Sequence, residues 1–455
     1  LSNGEKKNDA KSLRRIALDI LFRVEHGLFA ENLLAEAFSD EMESRDRAFL
    51  QEMVYGTIRR RGLLDTLISK FSSVRINRME TRIILALRLG IYQILHMSRV
   101  PSSAAVNETV AIASEERQAK NFCNAVLRAI LRAVKFSDKP TEPTRSLETN
   151  PNRWACFDRD IFAPLASNPI AHVAAKYSHP EFLVTRWIKR FGLDETIEIC
   201  RANNRTPQVY VRRNALKISE KAFLAKLRDE CPDVRATDVG TYLVAGIKTN
   251  NSAMLKAGEM LIQDPTAASV IPFLAPETGE RVLDMCAAPG TKAAHLAELM
   301  GDRGELIAVD THHVRIRLLE ETRRRLGITC MEIVHADGRE YAQQHSESFD
   351  KILVDAPCSN TGVLARRVEA RWRCGEAEIK KIAALQSELL AAAAVALKPG
   401  GTLVYSTCSI EDEENAGVVD EFLKTHDDFA LDESRLTLPH RGTGDGGYAA
   451  RLIRQ

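Results

Sequence analysis

Residues able to do chemistry gather in five short stretches of the chain. Asp284-Met285-Cys286-Ala287-Ala288-Pro289-Gly290-Thr291-Lys292 combines an acid, a thiol and an amine with small residues. Ala287, Ala288 and Gly290 permit close backbone approach to a ligand, at the N-terminal end of the helix that follows. Asp310 and Ala336-Asp337-Gly338 add carboxylates, and an acid placed like Asp310 can accept hydrogen bonds from ribose hydroxyls. Asp355-Ala356-Pro357-Cys358-Ser359 and Thr407-Cys408-Ser409 supply two thiols and a further carboxylate. Taken singly, a strand-end Asp is usually a helix cap or turn residue, and a Cys is a small buried hydrophobe. Joint action needs elements that carry all five stretches to one edge.

The chain from Arg281 to Lys424 has the pattern to do so. Strands are predicted at Arg281–Cys286, Glu305–Asp310, Met331–His335, Phe349–Asp355 and Gly401–Thr407. Helices are predicted at Thr291–Met300, Val314–Leu326, Glu376–Leu397 and Glu413–Lys424. Strands alternating with helices of this length make a parallel sheet covered on both faces. Ligands of such sheets bind beyond the carboxyl ends of the strands, where the acids and both thiols fall. Three acids at successive strand ends favour a nucleoside-shaped ligand, and two thiols beside Asp355 at the same edge outweigh the reading of each Cys as a small buried hydrophobe. The G-x-G-x-x-G pattern is absent, which argues against a nicotinamide dehydrogenase, and a Walker lysine pattern is absent too. His312-His313 lacks a third ligand at a plausible spacing, so no metal is expected.

The remainder reads differently. Ser12 to Lys135 shows apolar residues at helical spacing throughout, such as Ile83, Ile84, Leu87, Ile91 and Ile94, and forms an all-α bundle. Prolines 140, 143, 151, 164, 169 and 180 then interrupt the pattern, as in a linker. Two helices, the strand-like Gln208–Arg213 and a helix through Ser219–Glu230 follow as a small α+β module. With 63 basic and 62 acidic residues among 455, net charge says nothing. Its distribution does: Gln51 to Lys135 holds fourteen Lys and Arg against six Asp and Glu, the excess that a polyanion-binding surface needs. Arg366, Arg367, Arg371, Trp372 and Arg373 likewise suit phosphate contact and base stacking. Nine cysteines without a C-x-x-C pair signal neither disulfides nor zinc and fit a reducing cytoplasm. The polar stretch from Leu1 to Arg15 has no signal-peptide core, and no apolar run reaches membrane-spanning length.

The motifs CAAPGTK (286–292), DAPCSNTG (355–362) and YSTCS (405–409) resemble those of RNA cytosine-C5 methyltransferases. From about Ser12 to the end, the chain is similar to the bacterial Sun/Fmu type, which acts on small-subunit ribosomal RNA and carries a NusB-like N-terminal domain. Ala105-Val-Asn-Glu108, Asn124-Ala-Val-Leu-Arg128, Tyr177-Ser-His-Pro180, Arg212-Arg-Asn214 and Gln263-Asp-Pro265 extend the resemblance beyond the catalytic motifs. Thr291 and Asn360 stand where the family most often has glycine, and Asp445-Gly-Gly-Tyr448 departs from its aromatic-rich ending.

The resemblance implies a multidomain enzyme: a NusB-like helical RNA-binding domain over 1–136, a Pro-rich linker over 137–176, and a small α+β RNA-binding module over 177–262. A Rossmann-like class I methyltransferase domain over 263–455 completes it. S-adenosylmethionine would be held by Cys286, Ala287, Ala288, Pro289, Gly290, Thr291, Lys292, Asp310, Asp337 and Asp355, with Arg315 either supporting that pocket or forming a surface ion pair. Cys408 would add to C6 of the cytosine, Asp355 would hold the base edge, and Cys358 would assist breakdown of the adduct. Pro357-Cys358 is followed by Ser359 rather than the Gln of the DNA enzymes, which favours RNA. The expected partner is ribosomal RNA, naked or in an early particle, with no membrane and no obligate protein partner. The alternatives are a tRNA methyltransferase of the same mechanism and a non-enzymatic RNA-binding factor with a relic catalytic half.

Overall fold

The computed structural model describes residues 12–39, 42–247 and 249–455. The first eleven residues, most of the polar N-terminal stretch considered above, lie outside the described residues. The chain forms two compact units: one comprises residues up to Asn204 together with Arg371–Arg373, the other Arg205–Ala370 and Cys374–Gln455. No described helix is long and apolar enough to cross a membrane.

The first unit begins with helices Leu13–Glu25, Ala30–Ala37, Ser44–Arg59, Arg61–Phe71, Thr81–His96, Ser102–Ala113 and Arg117–Ala133. Thr81–His96 is the central one, buried almost continuously from Leu85 to Leu95. Gly56 is required where the ring of Tyr92 crosses its helix, since a Cβ there would lie 2.0 Å from that ring. Part of the basic excess is neutralised inside this unit: Arg88 pairs with Asp65 at 2.7 Å and Glu25 at 2.8 Å, and Arg82 with Asp19 at 3.2 Å. Arg75, Arg78, Arg99, Arg117, Arg128 and Arg132 stay exposed.

Two expectations need correction here. The Pro-rich stretch 137–176 is not an unstructured linker. Strands Val134–Ser137, Ser146–Asn150 and Arg153–Phe157 form an antiparallel sheet, and helix Pro169–Tyr177 follows. The prolines sit in the turns and at the first helical position, where a missing N–H costs nothing. Helices Glu181–Phe191 and Leu193–Asn203 pack within this unit. Arg371 and Trp372, expected to meet RNA, are structural instead. The buried Arg371 guanidinium donates to the carbonyls of Arg59, Ser178 and Asn203 and to Asn204 Oδ1, while Trp372 Nε1 donates to Ile58 at 2.8 Å.

In the second unit, strands Val234–Ala236, Thr241–Val244, Tyr210–Arg213 and Met260–Ile262 form an antiparallel sheet in that spatial order. Helix Glu220–Glu230 is capped by Ser219, whose side chain accepts from the Ala222 amide. The motif Arg212-Arg-Asn214 ties this module to the rest of the unit. Arg212 forms a fully buried ion pair with Glu298, and Asn214 Nδ2 donates to the carbonyls of Gly258 and Leu326 at 2.8 and 3.0 Å. Removing one partner of such a buried pair costs about 3–5 kcal/mol.

The main sheet has seven strands: β1 (Arg281–Asp284), β2 (Glu305–Asp310), β3 (Met331–His335), β4 (Phe349–Asp355), β5 (Leu397–Thr407), β6 (Phe429–Thr437) and β7 (Gly447–Arg454). Their order is β3-β2-β1-β4-β5-β7-β6, with β7 antiparallel to both neighbours and the first five strands parallel. Both faces are apolar, as buried parallel strands require. Leu283, Ile352, Val354 and Leu403 pack on one side and Val282, Leu306, Leu353 and Val404 on the other. The β6–β7 pair was not anticipated from sequence: β6 is largely exposed and charged, and shows no period-2 alternation. The order reverses between β1 and β4, so the crevice for a ligand opens at the ends of these strands.

Candidate active site

At the β1–β2 side, backbone and carboxylates build a cradle. The stretch after Asp284 is pinned to the neighbouring strands: the Met285 amide donates to Leu353 O at 3.0 Å and the Ala287 amide to Val309 O at 2.9 Å. The buried Asp310 carboxylate accepts from the amides of Ala288 (3.2 Å) and His312 (3.0 Å), so it organises both loops. Arg315 Nη2 donates to the Ala288 carbonyl at 2.8 Å and lies 3.7 Å from Asp310 Oδ2, so this half-exposed arginine both supports the loop and forms an ion pair. Gly290 has φ +103° and a Cβ there would lie 2.6 Å from Leu319 Cδ1. Asp337 caps helix Gly338–Gln343 and pairs with Arg339 at 2.6 Å, which holds its carboxyl below the ordinary range.

Asp284 stands apart. Both its carboxylate oxygens are buried without a hydrogen-bond partner. Burial, and then the charge of Asp355, raise its pKa to about 8. A carboxyl group left this way fits a cationic ligand group, which would ionise it and satisfy it. Cys286, next but one, has its thiol pushed well up by burial.

The β4–β5 side is built from side chains. Lys292 Nζ bonds Asp355 Oδ2 at 2.7 Å, and Ser406 Oγ donates to Asp355 Oδ1 at 2.8 Å. Burial works against the Lys292 charge, but Asp355 outweighs it and holds the ammonium above its ordinary pKa. The thiols of Cys358 and Cys408 lie 2.9 Å apart. Cys408 Sγ donates to Asn360 Oδ1 at 3.3 Å, and Asn360 Nδ2 donates to the Cys358 carbonyl at 2.8 Å. The Cys358 thiol is held well above its ordinary pKa, first by its bond to Cys408 and then by burial.

A cavity of about 90 Å³ opens on this side. Lys292, Asp355 and Cys408 line one wall, and Asp264, Asp445 and Tyr448 line another. Cys358, half-buried like Cys408, is not among the lining residues. Sequence reasoning missed the far wall. Arg366, expected to contact phosphate, instead bridges Asp264 (3.0 Å) and Asp445 (2.5 Å) and fastens the C-terminal loop over the cavity. Burial and then Asp264 lift Asp445 to about 6, against the pull of Arg366. Also missed were Glu414 and Asn415. Glu414 accepts from the Ser359 amide at 2.8 Å, and Asn415 Oδ1 accepts from Thr407 Oγ1 at 2.6 Å, bracing the loops of both thiols. Their one sequence signal is proximity to Thr407-Cys408.

The sheet order, the small-residue cradle and the orphaned Asp284 define an S-adenosylmethionine-dependent methyltransferase. Residues 271–453 match the family model described as 16S rRNA methyltransferase RsmB/F, residues 11–132 the NusB family, and residues 179–247 the ferredoxin-like domain of RsmF/B-like methyltransferases. The chain is 33% identical over 430 residues to the probable ribosomal RNA small subunit methyltransferase B of Bacillus subtilis (strain 168), covering 93% of this chain and 90% of that one. It is 32% identical to ribosomal RNA small subunit methyltransferase B of Salmonella enteritidis PT4 (strain P125109), covering 99% and 100%. The crystal structure of PH0851 superposes with a TM-score of 0.78 at 26% identity, over 97% of this chain and 98% of that one. A methyltransferase homolog protein from Pyrococcus horikoshii gives 0.57 at 26% identity, over 64% and 100%. The chain belongs to the RsmB/F family of rRNA methyltransferases.

Proposed function

We propose that this enzyme methylates carbon 5 of a cytosine in small-subunit ribosomal RNA through a covalent adduct on Cys408. One observation carries the reading: of the two adjacent thiols, Cys408 lines the cavity together with the Lys292–Asp355 pair and Cys358 does not. S-adenosylmethionine, when bound, supplies an electrophilic methyl group on a sulfonium. Asp284, the 285–292 loop, Asp310 and Asp337 are the residues that would hold it.

Carbon 5 of cytosine is too electron-poor to take a methyl group unaided. Cys408 as thiolate forms a bond to C6, which turns C5 into an enamine-like nucleophile. Asp355, with Lys292 and Ser406 fixing its two oxygens, accepts from the 4-amino edge, and the Lys292 ammonium offsets charge that builds on the ring. After C5 is methylated its proton passes to water, the electron pair left behind forms the C5–C6 double bond, and the Sγ–C6 bond breaks to return Cys408 as thiolate and restore aromaticity. Cys358, 2.9 Å from the departing sulfur, acts in that last stage.

Covalent trapping tests the assignment. Cys408→Ala is expected to abolish methyl transfer and form no adduct. Cys358→Ala is expected to leave a protein–RNA complex that survives denaturing electrophoresis, and the double variant none. Exchanged phenotypes would move the nucleophile to Cys358. Assays on naked 16S-type rRNA, ribosomal particles and tRNA identify the substrate, and absence of transfer to every RNA would favour a binding factor.

A further inference from the structure

Asn360 touches the reacting sulfur. Its backbone is left-handed, φ +63°, a conformation that Asn and Gly adopt far more readily than other residues. The amide orientation is dictated locally: Nδ2 faces the Cys358 carbonyl at 2.8 Å, where only a donor fits, so Oδ1 is the end presented to Cys408 Sγ at 3.3 Å. An amide oxygen can only accept. The Cys408 sulfur must therefore carry the proton, and the Cys358 thiol, 2.9 Å away on another side, donates to it.

We propose that Asn360 is a catalytic residue that holds Cys408 in its thiol form in the free enzyme and so restrains formation of the nucleophile. The proposal rests on Cys408 being the nucleophile. A hydrogen bond to the neutral form of a group disfavours the charged form. When the Cys408 proton leaves to water, Oδ1 is left facing a thiolate at close range. The other titratable or charged groups around this sulfur are Cys358, Lys292 and Asp355 at its own sheet edge, and Asp264, Arg435, Asp445 and Tyr448, which line the same cavity. Lys292 and the Cys358 thiol favour the thiolate and Asn360 opposes them. Loss of the Asn360 contact, by rotation of its side chain when RNA enters, would release the restraint only with substrate in place.

The test reads thiol ionisation at one peptide. The full-length protein is alkylated with iodoacetamide across pH, and the rate at Cys408 is followed by mass spectrometry of the peptide that contains it. Asn360→Gly keeps the left-handed backbone without strain and removes the acceptor, so the pH midpoint at Cys408 is expected to fall by roughly half to one unit. Asn360→Asp puts a carboxylate in the same place and is expected to raise the midpoint. The acid limb of single-turnover methyl transfer should move with the midpoint in each variant. Opposite shifts support the proposal, because a purely structural role has no reason to move one thiol in two directions. Unchanged midpoints, or shifts of the same sign, overturn it. If Asn360→Gly fails to fold, the sign of the Asn360→Asp shift decides alone. The outcome is separable from the nucleophile assignment: full activity in Cys408→Ala would remove that assignment, while the midpoints would still report whether Asn360 controls this thiol.

Discussion

The two sides of the crevice are built by different means. On the β1–β2 side, the groups that shape the cradle are backbone amides bound to the next strand and, Asp284 apart, carboxylates already committed to neighbouring amides. Asp310 serves Ala288 and His312, and Asp337 serves the helix after it. On the β4–β5 side, side chains hold side chains: Lys292 on Asp355, Cys358 on Cys408, Asn360 on Cys408, Arg366 on two acids. In the first design, side chains act largely by fixing backbone. The second places every reacting group by a contact with another reacting group. A change there alters chemistry before it alters the fold.

Three further experiments set the two sides against each other. The largest effect is expected from Lys292→Met. It strips Asp355 of its ion pair and the ring of its nearby positive charge, and should lower kcat by roughly 10²–10³-fold, with a much smaller change in S-adenosylmethionine affinity. Rapid-quench methylation and calorimetric titration separate the two, and a predominant loss of cofactor affinity would place Lys292 on the cradle side.

Asp284→Asn comes next, and should raise Kd for S-adenosylmethionine about tenfold or more, with the folded structure kept. Its pH dependence is the sharper readout. With a pKa of about 8 in the folded protein against 3.8 for an ordinary aspartate, Asp284 holds a proton in the folded chain that the unfolded chain loses above about pH 4. This group's contribution to stability therefore falls as pH rises through that window and is lowest above about pH 8. Cofactor affinity should do the reverse, rising with pH relative to Asp284→Asn until Asp284 ionises. Equal pH profiles for the two proteins would show that no cation engages this carboxyl.

The smallest effect belongs to neither side. Replacing the exposed Arg117, Arg128 and Arg132 of the helical unit with Gln should weaken RNA binding by about three- to thirtyfold at moderate salt. It should also reduce the slope of log affinity against log salt by up to about three. Filter binding across a salt series measures this, and cofactor affinity serves as the control that both sides of the crevice are intact.

The sequence alone determined the strand ends. Alternating buried strands and amphipathic helices, with small residues and acids at their junctions, are local patterns, and β2, β3 and β4 lie where that periodicity put them. The motif residues fall at one edge because parallel strands present every carboxyl end to the same side. Periodicity did not reveal what depends on partners distant in the chain. The C-terminal hairpin β6–β7 carries too many charges to read as sheet, yet its inner strand is sandwiched between two neighbours that supply the missing hydrogen bonds. Arg371 reads as an RNA-facing cation, and only packing shows that it is buried among the carbonyls of residues more than a hundred positions away. Likewise no spacing rule could pair Arg366 with Asp264 and Asp445, or set the Asn360 amide against the Cys408 thiol. A side chain's reach is a few ångströms, and which other side chains lie within it is decided by register and loop closure over the whole fold.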